Sequence, residues 1–465
     1  MKKPPLLWLP LLTAFFVLAF LLWAFAQHGT MGMFNTTGQV RLAVAMLVLI
    51  TITTVLTAWL GRWLKSRHRI GPSRTVTLFS LILTVPCLLG IPTAFVVLSG
   101  ISQPHLGDTP PQLFITTDTG IHGLPDLAVA FNTAKATKNV LTWGEIADTG
   151  SETTIAEQTA IHTHCFLLTD LEPGTSYYYR LGDGDHYVFH TAAPTDPLRF
   201  AIGSDAHFGA STRHEDASAQ MLYQIADPKN AYDYFFLVGD TVQLGFCKSH
   251  WREAFNGLSQ TTESIPLYII PGNHDTLFSG LSNYLRYASP GNQNDANKLW
   301  TRLDIGQIHF LIIDLEWSAE AFTEEQAAWL ESELQSIPTD DWKIVLSHGF
   351  AYASGPDNAG RHRYDNPDTI ACLAPLFEKY GVDIVFSGHN HQMEVLEKSG
   401  VTYVLSSPFG GVAENTRTYI SPYSLWYQSG QHGFADMTIA GDEAVIIFRT
   451  PEGDELYRHI LVRKP

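Results

Sequence analysis

Five short blocks in the second half of this chain carry the residue types that metal chemistry needs: Asp205-Ala206-His207, Gly239-Asp240, Gly272-Asn273-His274-Asp275, His348 and Gly388-His389-Asn390-His391. Together they supply enough carboxylate, amide and imidazole ligands to hold two adjacent metal ions. Imidazole and carboxylate suit Zn, Fe and Mn, whereas a thiolate site would need sulfur that these blocks lack. Two divalent ions about 3.5 to 4 Å apart repel each other, and a carboxylate shared between them offsets part of that repulsion. A lone Gly-Asp or Gly-His is an ordinary turn. Five such blocks, each behind an apolar run, point to one site.

The runs that must position them are Leu198 to Ile202, Tyr234 to Val238, Leu267 to Ile270, Trp342 to Leu346 and Val382 to Phe386. Apolar runs of four to eight residues bounded by turn residues read as buried strands. In layered α/β folds the carboxyl ends of strands are where sites are built. Further strands are expected at Leu299 to Leu303, His309 to Leu315, Thr402 to Leu405, Ala435 to Ile439 and Ala444 to Phe448. Glu325 to Leu334 and Thr369 to Tyr380 carry apolar residues at helical spacing, with Asp368 as the expected cap of the second. Ala351 to Pro367, with Arg361 and Arg363, has the composition of a solvated loop bordering the pocket.

The block order resembles the calcineurin-like metallophosphoesterase superfamily, whose pattern runs D-x-H, G-D, G-N-H-[DE], H and G-H-x-H. The resemblance covers roughly residues 198 to 463 and implies a two-sheet α/β sandwich with two divalent ions (Mn, Fe or Zn). It implies Asp205, His207 and His391 at the first ion, Asn273, His348 and His389 at the second, and Asp240 bridging. It also implies hydrolysis of phosphate mono- or diesters by a metal-bridging hydroxide, with His274 assisting the leaving group. Asp275 is expected to orient His274, because an imidazole acting as general acid needs its tautomer fixed from the other nitrogen. His250, His362, His432 and His459 are read as surface or satisfied core residues.

Ahead of this region, residues 108 to 195 show short alternating segments separated by Gly, Asp and Asn turns: Leu127 to Phe131, Asn139 to Trp143, His164 to Leu168, Ser176 to Leu181 and Tyr187 to Thr191. They read as a small β-sandwich. Leu171-Glu172-Pro173-Gly174-Thr175-Ser176-Tyr177-Tyr178-Tyr179 resembles the corner of fibronectin type III domains. A fibronectin type III-like domain before a metallophosphoesterase domain is similar to the architecture of purple acid phosphatases. Two positions depart from the purple pattern: His207 stands where those enzymes have Gly, and Gln243 where they have the metal-binding Tyr.

The first 104 residues describe a location. Residues 6 to 26, 42 to 60 and 76 to 98 are uncharged apolar stretches, each near the roughly twenty residues that span hydrocarbon. They are expected to be three transmembrane helices. Lys2 and Lys3 precede the first, and Arg62, Lys65, Arg67, Arg69 and Arg74 crowd the second connection. The positive-inside rule then puts the N-terminus in the cytoplasm and the catalytic domain outside it. Cleavage after Ala24-Phe25-Ala26 would leave two spans and the same outcome.

The 465-residue chain holds 29 basic and 46 acidic residues. Setting aside the eight basic residues of the first 104 leaves 21 against 46, a net of −25 that disfavours nucleic acid as a partner. Three cysteines outside the spans, Cys165, Cys247 and Cys372, encode no disulfide framework. The leading expectation is a membrane-embedded phosphoesterase acting on a small phosphoester, with a lipid-linked phosphate one candidate that tethering suggests. The alternative is a noncatalytic binding or adhesion module with structural metals.

Overall fold

The computed structural model describes residues 104–463 apart from 149, 151, 194–196, 278–279, 292–297, 316–318, 356, 359–360, 363 and 415–417. The three expected membrane spans and the Ala24-Phe25-Ala26 triplet lie outside the described residues. Among those described, no helix is long and apolar enough to cross a membrane.

Residues His105–Gly209 and Arg213–Pro465 form one compact unit. Its first strands are β1 (Gln112–Thr119), β2 (Pro125–Thr137), β3 (Val140–Glu145), β4 (Thr153–Ala156), β5 (Ile161–Leu168), β6 (Ser176–Leu181) and β7 (His186–His190). They divide into a β1-β2-β5 set and a separate sheet of order β4-β3-β6-β7. At the corner before β6 the backbone N–H of Glu172 donates to the Tyr177 hydroxyl at 2.9 Å, a tyrosine corner of the kind found in β-sandwiches.

This segment is not a bead on a linker. β1 pairs in parallel with β10 (Leu267–Ile270), so the β1-β2-β5 set continues the larger sheet that follows. The Tyr179 hydroxyl donates to the Glu263 carbonyl at 2.9 Å, and the Gln112 amide to the Phe255 carbonyl at 3.1 Å.

The larger sheet has nine strands in the order β22-β21-β20-β8-β9-β10-β1-β2-β5, with β8 Leu198–Gly203, β9 Tyr234–Val238, β20 Phe434–Ala440, β21 Glu443–Arg449 and β22 Glu455–Val462. The facing seven-stranded sheet runs β11-β12-β13-β16-β18-β17-β19. Its strands are β11 Thr301–Ile305, β12 Ile308–Ile312, β13 Trp342–Leu346, β16 Ile384–Ser387, β17 Met393–Lys398, β18 Val401–Ser406 and β19 Ser424–Gln428. A two-residue hairpin, β14 (Asp357–Asn358) with β15 (Arg361–His362), stands apart within the expected loop.

Phe200, Phe236, Phe310, Ile344 and Phe386 fill the space between the sheets, fully buried. Each such side chain contributes about 2 to 3 kcal/mol by leaving water. Helices α1 (Glu215–Ala226) and α2 (Lys248–Thr262) cover the outer face of the first sheet through Met221, Leu222, Trp251 and Phe255. A one-turn helix α3 (Asn273–Thr276) follows β10. Helices α4 (Glu324–Ser336) and α5 (Pro367–Tyr380) cover the second sheet through Leu330, Leu334, Leu373 and Phe377.

Thr323 caps α4, accepting from the Gln326 N–H. The α5 cap is Asn366, which accepts from Thr369 N–H at 3.3 Å, rather than the expected Asp368. Pro367 at the first helical position moves the cap two residues earlier, and Asp368 instead places its charge in the first turn.

One half-buried histidine sets an acid limit on this packing. His250, in α2, lies flat over Gly209, where an added Cβ would sit 2.2 Å from its ring, and Gly209 also needs φ +88. Its Nδ1 is buried without a hydrogen-bond partner. Burial pushes the imidazole down to about 4 from 6.5. Between those values the unfolded chain holds a proton that the folded chain refuses, so stability is full above pH 6.5 and falls as pH drops toward 4. The expected loss approaches about 3 kcal/mol at the acid end. Urea unfolding of His250→Phe across pH 7 to 4 should show a flatter acid limb than wild type; parallel curves would contradict this.

Candidate metal centre

All five blocks sit where the parallel strands end. β8, β9 and β10 run parallel, as do β12, β13, β16 and β18. Asp205 and His207 follow β8, Asp240 follows β9, Asn273 opens α3 behind β10, His348 follows β13, and His389 and His391 follow β16. Two sheets thus deliver their ligands to one rim.

The turns that make the delivery are strained. Asp205, His207, Asp240, His389 and His391 have φ of 58, 49, 51, 67 and 49°, the left-handed region that non-glycine residues avoid. Each costs of order 1 kcal/mol, and such residues persist where surrounding contacts over-determine them at functional sites. Two glycines make the approach possible. An added Cβ on Gly239 would lie 2.3 Å from the His348 Nδ1, and one on Gly272 would lie 2.3 Å from the Asp240 backbone nitrogen.

Three groups of side chains converge: Asp205, His207 and His391; His207, Asp240 and His274; Asp240, His348 and His389. Asp240 joins the second and third, and its Oδ2 lies 3.2 Å from His348 Nε2, 3.8 Å from His207 Nε2 and 3.9 Å from His274 Nε2. Its Oδ1 accepts the His274 N–H at 2.8 Å. In the first group His391 Nε2 stands 3.1 Å from His207 Nε2 and 3.2 Å from Asp205 Oδ1. In the third, His389 Nδ1 stands 3.1 Å from Asn273 Oδ1 and 3.3 Å from His348 Nε2.

Backbone carbonyls fix the rings. His348 Nδ1 donates to Val238 at 2.9 Å, His391 Nδ1 to Val412 at 2.8 Å and His274 Nδ1 to Gln243 at 2.7 Å. With Nδ1 spent as a donor, each Nε2 is turned into the cluster, which is how imidazole ligands are oriented. The Asp205 carboxylate is anchored through Oδ2 by the Ser204 hydroxyl and the His389 N–H, while Oδ1 is buried with no hydrogen-bond partner. An orphaned carboxylate oxygen beside two imidazole nitrogens fits a divalent cation, as does the nitrogen and oxygen donor set.

Electrostatics fit metal binding at Asp205, Asp240 and His207, while at His348 a cation would have to displace a proton. Burial would raise the Asp205 and Asp240 carboxyls, but the surrounding imidazoles outweigh it and hold both well below the usual range. Burial pushes His207 down to about 4, the neutral form that binds metal. Burial also works against protonation of His348, but Asp240 prevails and lifts it to about 10.

Asp275 does not meet His274, contrary to the sequence expectation. Its carboxylate accepts the backbone N–H groups of Val242, Gly272 and Thr241 at 2.9, 3.0 and 3.2 Å. Consecutive residues of a helical turn point apart. Burial and the Asp240 charge push the Asp275 carboxyl up to about 8 against those three donors. Asp275 therefore ties the Asp240 loop to the Asn273 loop, and the group that orients His274 is the Gln243 carbonyl. A main-chain acceptor has no side-chain signature, so motif reading misses it.

A second support escaped the sequence. Glu394, fully buried in β17, accepts from the Ser354 N–H and hydroxyl at 2.8 and 2.6 Å and from the Gln392 amide at 2.9 Å. Gln392 directly follows His391, so this network braces the last ligand loop.

Comparison with known proteins finds similarity over this region. Residues 198–393 match the calcineurin-like phosphoesterase family. The chain is 27% identical over 244 residues to purple acid phosphatase 18 of Arabidopsis thaliana, an alignment spanning 50% of this chain and 52% of that protein. It is 28% identical over 261 residues to human acid phosphatase type 7, spanning 51% and 57%. The chain thus spans little more than half the length of these relatives. A purple acid phosphatase from yellow lupin seeds shares the fold at a TM-score of 0.64 and 18% identity, over 77% of this chain and 75% of that one.

Proposed function

We propose that this chain, whose residues 198–393 are a calcineurin-like phosphoesterase domain, is a membrane-anchored, dinuclear metal-dependent phosphoesterase that hydrolyses small phosphate esters outside the cytoplasm. The observation that carries the reading is Asp240: one buried carboxylate oxygen faces imidazoles from two ligand groups, as a bridge between two ions requires. Asp205, His207 and His391 would hold the first ion, and Asn273, His348 and His389 the second, with Mn, Fe or Zn suited to these donors. A pair of bound ions would neutralise charge on the phosphoryl oxygens and acidify a water.

The chain's own part in the reaction is proton handling and positioning. His274, 16% exposed through its side chain, holds Nε2 toward the cluster while Nδ1 is spent on the Gln243 carbonyl. It is the group placed to give a proton to the leaving oxygen. Buried carboxylates and strained turns keep the ligands in place before substrate arrives.

Support for the finer parts comes from the fold and the sequence. Residues 108–195 are read as a fibronectin type III-like domain from the tyrosine corner and the two-sheet arrangement of β1 to β7. Anchoring rests on the apolar stretches at 6–26, 42–60 and 76–98, and the outside location on the basic residues of their connections. A reporter fused after Pro465 should be active outside the cytoplasm; activity only inside would overturn that topology. Relatives named purple acid phosphatases suggest a ferric tyrosinate, yet here position 243 is Gln and its carbonyl is engaged with His274. Iron-loaded protein should therefore show no strong visible tyrosinate charge-transfer band, and seeing one would contradict the His207 assignment.

Hydrolysis of bis(nitrophenyl) phosphate and nitrophenyl phosphate by the full-length chain with Mn, Zn or Fe tests the reading. Turnover of either ester supports it, and the preferred one separates diesterase from monoesterase. Silence with every metal would favour a noncatalytic binding module.

A further inference from the structure

The segment Phe409–Val412, between β18 and β19, is bonded at nearly every peptide group. Phe409 N–H donates to the Ser204 carbonyl at 2.7 Å, and Gly411 N–H to the Asp205 carbonyl at 2.8 Å. The Gly410 carbonyl accepts the His214 N–H at 2.8 Å. The Val412 carbonyl accepts His391 Nδ1 at 2.8 Å and so selects the tautomer that turns His391 Nε2 toward Asp205 and His207. The strap also lies against the ligands themselves: an added Cβ on Gly411 would sit 2.6 Å from His207 Cδ2 and 3.3 Å from His391 Cε1. Three ligands of the first group thus share this one template.

Besides the ligand His391, one more side chain donates to it. His432, partly buried just before β20, gives its Nε2–H to the Gly411 carbonyl at 2.8 Å, and its ring packs against His214 at 4.5 Å between centroids. His214 is the residue whose backbone N–H holds Gly410, so the two histidines grip successive carbonyls of the strap. The sequence marks His432 as an ordinary histidine, and nothing about its spacing ties it to the ligand blocks.

We infer that His432 is a positioning residue for the first ion, acting through the Gly411 carbonyl on the strap that orients His391 and seats His207. Its hydrogen bond goes to the strap and not to a metal-ligand side chain. The second group is held from elsewhere, His348 by the Val238 carbonyl and His389 beside Asn273 and His348, so its ion should be indifferent to His432. The inference rests on the dinuclear reading.

Cobalt(II) binding to metal-stripped full-length protein tests it, with thermal unfolding of the stripped protein as the second readout. Wild type should bind two ions. His432→Ala should bind one of them about tenfold or more weakly and the other unchanged, the size typical of losing an outer-shell support. Its unfolding temperature should stay close to wild type. His432→Gln, whose amide keeps an N–H donor at similar reach, should restore the weakened ion. Wild-type affinity at both positions in His432→Ala would overturn the inference. So would equal weakening at both with a fall in unfolding temperature, or failure of Gln to rescue. Fewer than two ions in wild type would instead sink the dinuclear reading itself.

Discussion

Asp240→Asn is expected to lower turnover at least about a thousandfold, because it removes the one charge on which both ion positions depend. The amide keeps the shape, and its oxygen can still accept the His274 N–H that Oδ1 accepts now. What it loses is the anionic oxygen facing His348, His207 and His274. Without it, two cations would sit side by side with no shared negative ligand. Bound metal should therefore fall from two ions to one or none while the far-ultraviolet circular dichroism stays as in wild type. Activity within tenfold of wild type, with both ions retained, would remove Asp240 from the bridge.

His274→Ala should cost about 100-fold or more in turnover with both ions still bound, the usual contribution of a positioned general acid. Geometry leaves a rival, because His274 also stands in a possible ligand group with His207 and Asp240. The two roles separate cleanly. A ligand would take metal with it when removed, and the loss would be the same for every ester. A proton donor leaves metal content intact and matters most for poor leaving groups, so the defect should be larger for an alkyl phosphate than for a nitrophenyl one. Lost metal, or unchanged activity, would end the acid role.

Much of this site was readable because metal ligands at strand ends keep a compact signature. The runs at Tyr234–Val238, Leu267–Ile270 and Trp342–Leu346 appear as strands with the expected bounds, being buried on both faces and cut by turn residues. The run expected at Val382 to Phe386 begins two residues late, at Ile384, since Gly381 ends α5 in a left-handed cap first. Helix α2 is absent from the expected elements although Trp251, Phe255 and Leu258 mark one face at helical spacing. β17 is absent from them for a better reason: a fully buried Glu394 at its second position breaks the apolar pattern, and the Ser354 and Gln392 donors explain why it is tolerated. β4 is a short exposed edge strand with little to bury.

Supports were less legible than ligands. Val238, Gln243 and Val412 orient three imidazoles through their carbonyls, and a carbonyl looks the same under any side chain. The Asp275 expectation went wrong from adjacency in sequence, which in a helical turn means divergence in space. Gly272 reads as part of a motif, but the requirement it meets, backbone contact with Asp240, belongs to another strand and is visible only once the two are side by side.

The most direct test is a metal titration of the stripped full-length chain, following nitrophenyl ester hydrolysis and bound metal together. The dinuclear account predicts no turnover in chelator and a rise that saturates as the second equivalent of Mn, Zn or Fe binds. Full turnover in chelator, or two ions bound with no hydrolysis of either ester, would contradict it.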